Sequence, residues 1–223
     1  LDAPVKKIRV FDFDDTLARS KSMVIVNMPD GSSKKINATQ FAQQAASLES
    51  EGAEFDFAEF SEVVEGKKGP LFEVAQKIAN ARGTEDVFIL TARPQNADGP
   101  IKAFMKANGI DIPLKNITGL SDGTAEAKAG WIMGKAAEGY NDFYFADDAI
   151  KNVQAVKNVL SQIDVKSKVQ LAKESKLETF DTIVNDMIED SSGIETYKQY
   201  SAARAQTVGA SKGRFNFFIP ASA

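Results

Sequence analysis

Two aspartates separated by one residue, Asp12 and Asp14, follow a mainly apolar segment at residues 8–11. That segment has the composition of a β-strand, and side chains at positions i and i+2 of a strand share a face. We therefore expect both carboxylates to point into one site. Because two neighbouring carboxylates repel, one of them must bind a cation or hold a proton. The spacing predicts hard-metal chemistry, with a nucleophile and an acid/base close together.

The amino-acid composition narrows that chemistry. The 223 residues include neither cysteine nor histidine, which excludes thiolate nucleophiles, zinc–sulfur sites, imidazole bases and disulfides. A covalent nucleophile must then be Ser, Thr, Lys, Tyr or a carboxylate. A metal must be held mainly by oxygen, which favours Mg²⁺ over zinc.

Length and hydropathy favour one main globular domain with an attachment. Apolar residues make up 43% of the chain, and the formal net charge is −4. No apolar run approaches the ~18 residues of a membrane span. These features predict a cytoplasmic protein with no membrane partner.

From residue 71 onward, short apolar runs alternate with segments of helical periodicity. The runs lie at residues 87–90, 116–119, 143–146 and 168–171. Apolar strands without alternation are typical of a parallel sheet covered on both faces. The expected fold is α/β, a Rossmann-like doubly wound parallel sheet.

Two regions interrupt this alternation. Residues 19–69 contain a predicted β-hairpin, from Met23 to Met28 and from Lys34 to Ile36, around Pro29-Asp30-Gly31. We interpret them as a small cap inserted after the first strand of a core formed by residues 1–172. Residues 173–223 form a C-terminal extension with a predicted apolar helical stripe.

Further polar residues follow the predicted strands and their neighbours. Thr91 ends one strand, Asp147 and Asp148 end another, and Lys128 lies in the first turn of a helix that Thr124 is expected to cap. Open α/β sheets bind ligands at the carboxyl ends of their strands, so these side chains are expected to meet Asp12 and Asp14.

This series of motifs, Asp12-Phe13-Asp14-Asp15-Thr16, Leu90-Thr91, Lys128 and Phe145-Ala146-Asp147-Asp148, resembles the haloacid-dehalogenase superfamily of phosphohydrolases. The resemblance runs from Ile8 to Leu171 and leaves out the insertion and the tail. It implies a Mg²⁺-dependent phosphatase that acts through an aspartyl-phosphate.

The resemblance also implies a role for each residue. Asp12 would be the nucleophile, Asp14 the acid and then the base, and Thr91 a hydrogen-bond donor to the phosphoryl group. Lys128 would neutralise phosphate charge. Thr16 and Arg93 would contact the substrate. Mg²⁺ would lie between Asp12, the backbone carbonyl of Asp14 and Asp147, with Asp148 as a further ligand or an orienting neighbour.

Several of these residues have other readings. Asp147 and Asp148 can simply cap the helix that follows them, and Thr91 can be structural. Arg93 can bind phosphate or form a surface ion pair. Lys115 and Lys151 compete with Lys128 for the lysine role.

The substrate class is expected from the size of the cap. A small cap predicts an open site that admits a nucleic-acid end, a nucleotide or a phosphoprotein. The Leu90-Thr91-Ala92-Arg93-Pro94 version of the second motif resembles phage-encoded and RNA-repair-like members, and the tail resembles proteins of tailed bacteriophages. A phage protein would lie in the host cytoplasm or in the virion.

That second resemblance opens rival functions. A phage virion or assembly protein can use such a domain as a scaffold, with structural partners bound through the C-terminal extension. A phosphotransferase would share the aspartyl-phosphate and differ in its acceptor. The tail from Ser191 carries four basic residues against one acidic residue, which suggests a nucleic-acid module more weakly.

Overall fold

The computed structural model describes residues 3–172, and the predicted helical stripe of the C-terminal extension lies outside them. The described part of the chain contains ten strands, β1–β10: Lys7–Phe11, Ala18–Arg19, Val24–Asn27, Ser33–Ile36, Glu54–Asp56, Lys67–Lys68, Val87–Thr91, Ile117–Gly119, Asp142–Asp147 and Lys166–Leu171. Five α-helices, α1–α5, span Ala38–Ser50, Phe72–Arg82, Asp98–Ala107, Ala125–Ala137 and Ile150–Ser161. Two 3₁₀ turns, Gln95–Ala97 and Leu114–Asn116, precede α3 and β8.

The central sheet has five strands in the order β10-β9-β1-β7-β8. All four neighbouring pairs are parallel, as the non-alternating apolar strands predicted. The predicted Rossmann-like α/β architecture is therefore confirmed as a parallel five-stranded sheet flanked by helices.

Side-chain alternation along the strands builds a separate core on each face of this sheet. Ile8, Val10 and Phe145 pack with residues of α4 and α5 on one face. Phe11 and Tyr144 pack with residues of α2 and α3 on the other. Alternate residues of one strand therefore pack against different helices, α4 and α5 on one face of the sheet and α2 and α3 on the other.

The insertion is a folded unit joined to the core through a narrow neck. At the neck β2 pairs with β6, so the two ends of the insertion lie side by side. Beyond it, β4, β3 and β5 form an antiparallel sheet. One face of that sheet and α1 share a buried cluster that includes Val24, Phe41 and Phe60. We call the unit between β2 and β6 the cap.

The predicted hairpin is present as β3 and β4, and β5 adds a third strand to it. Helix α3 begins at Asp98, two residues before Pro100. Pro100 fits the first turn of a helix because the backbone N–H groups there have no intrahelical acceptor. No helix within residues 3–172 combines the length and the hydropathy needed to cross a membrane.

Candidate active site and metal centre

Strand parity places two aspartates on the face that α4 and α5 cover. Asp12 follows β1 in register with Ile8 and Val10, and Asp147 ends β9 in register with Phe143 and Phe145. The backbone N–H of Asp12 donates to the carbonyl of Ala146 at 2.9 Å, which extends the ladder of β1 and β9 to the site. Both carboxyl groups are buried, with 6% of Asp12 and none of Asp147 exposed.

Lys128 lies between these two carboxylates. Thr124 caps α4 by accepting a hydrogen bond from the backbone N–H of Ala127, which fixes the first turn that carries the lysine. The ammonium Nζ lies 2.7 Å from Asp12 Oδ1 and 2.7 Å from Asp147 Oδ2. Of the three candidate lysines, Lys128 is the one at this position. On the surface, Lys115 Nζ lies 3.8 Å from Glu85 Oε2. Lys151 Nζ donates to the backbone carbonyl of Gly123.

Asp148 completes an acidic cluster with Asp12 and Asp147. One carboxylate oxygen from each of the three lies within 4.8 Å of the others. Thr16, which is fully buried, donates to Asp12 Oδ2 at 3.1 Å and lies 3.5 Å from Asp148 Oδ1. Thr16 thus contacts two carboxylates of the cluster, and its contact with substrate stays a prediction.

The cluster holds more negative charge than Lys128 balances. Burial and the neighbouring charge of Asp147 raise the pKa of Asp12 to about 7, although Lys128 opposes the shift. Burial and the charge of Asp12 raise the pKa of Asp148 to about 10. Burial alone would lower the pKa of Lys128, but the two carboxylates beside it outweigh burial and raise it. The lysine is thus a permanent cation, whereas Asp148 holds a proton at neutral pH and Asp12 gains or loses one near pH 7.

A divalent cation is expected to compete with those protons. Because the pKa of Asp148 is raised to about 10 and that of Asp12 to about 7, Mg²⁺ binding should release one proton between these pH values and two below about pH 7. The affinity should then rise about tenfold per pH unit in the upper range and more steeply in the lower one. Calorimetric titration with Mg²⁺ at several pH values and in buffers of different ionisation enthalpy measures both quantities. An affinity that does not change with pH would contradict this prediction.

Asp14 does not join the acidic cluster with its side chain. Its carboxylate lies against the guanidinium of Arg93, with Nε 2.8 Å from Oδ2 and Nη2 2.7 Å from Oδ1. Asp14 still lines the same pocket as Asp12 and Lys128. Around this one cavity, Asp12 therefore pairs with Lys128 and Asp14 pairs with Arg93.

Arg93 is buried beside Asp14 and does not lie on the surface. The residue is fully buried, so its pair with Asp14 is not a surface ion pair. All three nitrogens of its guanidinium donate to protein acceptors, which leaves the group engaged within the protein and not presented to a substrate.

Thr91 is buried at the end of β7, and its hydroxyl accepts a hydrogen bond from the backbone N–H of Arg93 at 3.2 Å. This contact fixes the turn that carries Arg93. Thr91 is absent from the residues that line the acidic cavity, whereas the next residue, Ala92, lines it.

Asn152, a buried residue in the first turn of α5, was not among the predicted site residues. Its Nδ2 donates to Asp147 Oδ2 at 3.1 Å, and its Oδ1 is buried without a partner in the described structure. The backbone N–H of Ala149 donates to Asp147 Oδ1 at 2.9 Å. Asp147 thus stabilises the turn before α5 and also faces the cluster. Asn152 could have been identified from its position in the sequence, five residues after Asp147, the aspartate that ends β9.

The cap closes over this cavity more tightly than the sequence analysis expected. Thr39 and Phe60 of the cap line it, and Thr39 Oγ1 donates to Asp15 Oδ2 at 2.9 Å. A side chain at Gly123 would meet α1, because a Cβ there would lie 2.9 Å from Ala45 Cβ. The cavity at the cluster measures about 20 Å³, so the expected open site is closed in this structure.

A larger cavity of about 420 Å³ adjoins the closed one. Thr39, Ala42, Asp148 and Ala149 line both cavities, and the larger one also contacts Lys151. The two cavities therefore form a narrow inner chamber and a wider outer one, between α1 and the start of α5.

Comparison with known proteins adds little to this geometry. No family model matches the chain, and no curated protein matches it. Among solved structures, the chain is similar to one described as the structure of DsGPDH of Dunaliella salina, with 16% identity and a TM-score of 0.38. That match covers 73% of this chain but 23% of the other. The site is therefore interpreted from its own residues.

Proposed function

We propose that the protein is a Mg²⁺-dependent hydrolase of phosphate monoesters that acts through an aspartyl-phosphate on Asp12. The observation that carries the proposal is the position of Lys128, whose ammonium lies 2.7 Å from Asp12 and 2.7 Å from Asp147 beside a third carboxylate. Attack by a carboxylate on a phosphate dianion requires such charge neutralisation.

The donor set at the site fits Mg²⁺. Asp12, Asp147 and Asp148 offer three carboxylate oxygens within 4.8 Å, and the sequence contains no histidine or cysteine that would favour a softer metal. When bound, Mg²⁺ would supply positive charge that neutralises the phosphoryl oxygens.

In the first proposed step, an Asp12 carboxylate oxygen attacks phosphorus and the ester P–O bond breaks. The leaving oxygen takes a proton from Asp14, which lines the same cavity. Lys128 holds Asp12 as the carboxylate during the attack. An alcohol leaves, and the phosphoryl group remains bound to Asp12.

In the second proposed step, Asp14 takes a proton from water, and the water oxygen attacks the phosphoryl phosphorus. The bond between Asp12 and phosphorus breaks, inorganic phosphate leaves, and both aspartates return to their first states. Splitting the hydrolysis into two displacements is the usual logic of covalent catalysis.

The two adjoining cavities would bind different parts of one substrate. The inner chamber is lined by Asp12, Asp14 and Lys128, which would act on the phosphoryl group. The outer cavity of about 420 Å³ has the size of small-molecule sites, roughly 300–1,000 Å³. Nucleotides and the ends of nucleic acids are the proposed substrates. A panel of nucleotides, phosphorylated oligonucleotides and sugar phosphates ranks these classes by kcat/KM.

The test of the proposal is hydrolysis of an aryl phosphate by the purified protein with Mg²⁺ and after chelation. We expect turnover that requires Mg²⁺, and a rapid acid quench that traps phosphate on the peptide containing Asp12, detected by mass spectrometry. Turnover without a phosphorylated Asp12 would contradict the mechanism. Absence of turnover across the whole panel would contradict the function and favour an assembly role.

A further inference from the structure

The contacts of Arg93 extend from Asp14 to the segment that leads into the cap. Besides its two bonds to Asp14, Arg93 donates from Nη2 to Ser20 Oγ at 2.9 Å and from Nη1 to Ser22 Oγ at 3.3 Å. Ser20 and Ser22 follow β2, so they belong to the connection from the core into the cap.

Arg93 also contacts the segment that returns from the cap. Its Nη1 donates to the backbone carbonyl of Phe60 at 3.3 Å and, by a short hydrogen bond, to that of Glu62. The guanidinium also lies over the Phe60 ring, with Cζ 4.6 Å from the ring centroid. Ser22 Oγ joins the two connections, because it donates to the Glu62 carbonyl at 2.7 Å and accepts from the backbone N–H of Val64 at 3.0 Å.

The guanidinium is thus buried at the point where both connections of the cap meet the core. A planar group with fixed donors matches a carboxylate in one orientation, which an ammonium cannot do. If the cap moved away, Arg93 would lose its acceptors at Ser20, Phe60 and Glu62. The remaining bonds to Asp14 would then no longer fix the direction of that carboxylate.

We propose that Arg93 is a positioning residue that couples the seated cap to the orientation of Asp14. The inference deepens the proposed function and rests on it. Both Asp14 oxygens accept hydrogen bonds from Arg93, which fixes the direction of the carboxylate. When the leaving group needs no proton, this orientation matters above all for the second step, the hydrolysis of the phosphorylated Asp12.

The experiment separates the two steps with nitrophenyl phosphate, because nitrophenolate leaves without needing a proton. Arg93→Lys keeps the charge and removes the planar fork. We expect its first turnover to release nitrophenolate at a rate within about tenfold of wild type, whereas steady-state turnover falls about 10²-fold. The phosphorylated protein should accumulate, and intact-mass spectrometry should show the added phosphoryl group.

Two further variants test the coupling. Asp14→Asn should also accumulate the phosphorylated protein, and the double variant with Arg93→Lys should be no slower than Asp14→Asn alone, because both changes remove one function. Ser20→Ala removes an acceptor on the cap connection and should slow the hydrolysis step several-fold, without adding to the effect of Arg93→Lys.

Arg9→Lys is the matched control for loss of a buried arginine. Arg9 lies in the middle of β1, is 2% exposed and donates to the carbonyl of Asp142, the first residue of β9, at 3.0 Å. It should change stability without accumulation of phosphorylated protein.

Equal losses in both steps, or additive effects of Arg93→Lys and Asp14→Asn, would overturn the positioning role while the proposed function stands. A wild-type protein that never acquires a phosphoryl group would overturn both.

Discussion

Asp12→Asn is expected to reduce the turnover of phosphate esters by about 10⁴-fold or more, because the amide oxygen that replaces the carboxylate is a very weak nucleophile. The same change should leave the fold intact. Asparagine has the same shape, and its carbonyl oxygen can still accept from Lys128, which lies 2.7 Å from Asp12 Oδ1.

The shifted pKa of Asp12 determines whether Asp12→Asn raises or lowers the stability of the folded protein. Folding raises the pKa of Asp12 to about 7, so between its ordinary value and about 7 the folded state binds more protons than the unfolded state. Stability contributed by the carboxyl is therefore lost as the pH rises through this range. The amide of Asp12→Asn stays neutral, so the variant does not lose stability in this way as the pH rises. At pH 8 without metal, its midpoint of thermal unfolding should equal or exceed that of wild type.

Kinetics on an aryl phosphate and calorimetric unfolding measure the two quantities for Asp12→Asn. Asp86→Asn is the matched control, since Asp86 pairs with Arg82 just before β7, at the opposite edge of the sheet. Activity retained by Asp12→Asn would remove Asp12 as the nucleophile. Activity lost by Asp86→Asn as well would point to a general structural effect.

Lys128→Met should give the largest loss of stability together with loss of activity. The methionine leaves two buried carboxylates without their cation, and removing one partner of a buried ion pair costs about 3–5 kcal/mol. Because Asp12 can take up a proton, the deficit should be greatest at high pH and smaller in acid. Urea unfolding at several pH values gives this profile.

A second measurement separates charge loss from poor packing in Lys128→Met. If missing positive charge is the cause, added Mg²⁺ should raise the unfolding midpoint of the variant more than that of wild type, because ligands that bind the folded state stabilise it. Lys151→Met is the control, since Lys151 is half-buried and donates to the carbonyl of Gly123, not to a carboxylate. A Lys128→Met protein as stable as wild type would contradict the proposed role of the ammonium.

Much of the central sheet and the acidic cluster could be predicted because local patterns determine them. Apolar runs located β1, β7 and β9, and the residue that follows a buried parallel strand must lie at its carboxyl edge. Asp12 and Asp147 were therefore placed near one another without any knowledge of the tertiary contacts. The predicted helix start at Thr124 placed Lys128 in a first turn, but Lys115 and Lys151 remained alternatives for the lysine role.

Arg93 shows what local patterns cannot supply. The hydrogen-bond acceptors of its guanidinium are Asp14 and residues between positions 20 and 62, all more than 30 positions away along the chain. Nothing next to Arg93 distinguishes a buried arginine from a phosphate ligand. The tightness of the cap was missed for the same reason, since the contact of Thr39 with Asp15 and the close approach at Gly123 depend on tertiary packing.

The short strands of the insertion were missed for a different reason. β2 and β6 have two residues each, and β5 has three. A run of that length shows no periodicity, and only the pairing partner makes it a strand.

The neck formed by β2 and β6 makes the insertion an exchangeable module. The backbone N–H of Gly69 donates to the carbonyl of Leu17 at 2.8 Å, so the chain enters and leaves the core at almost the same point. A tight turn could therefore replace everything between, and an unrelated unit could be grafted there without altering the order of the core strands. Such an exchange would change which molecules reach the acidic cluster while leaving its three aspartates in place.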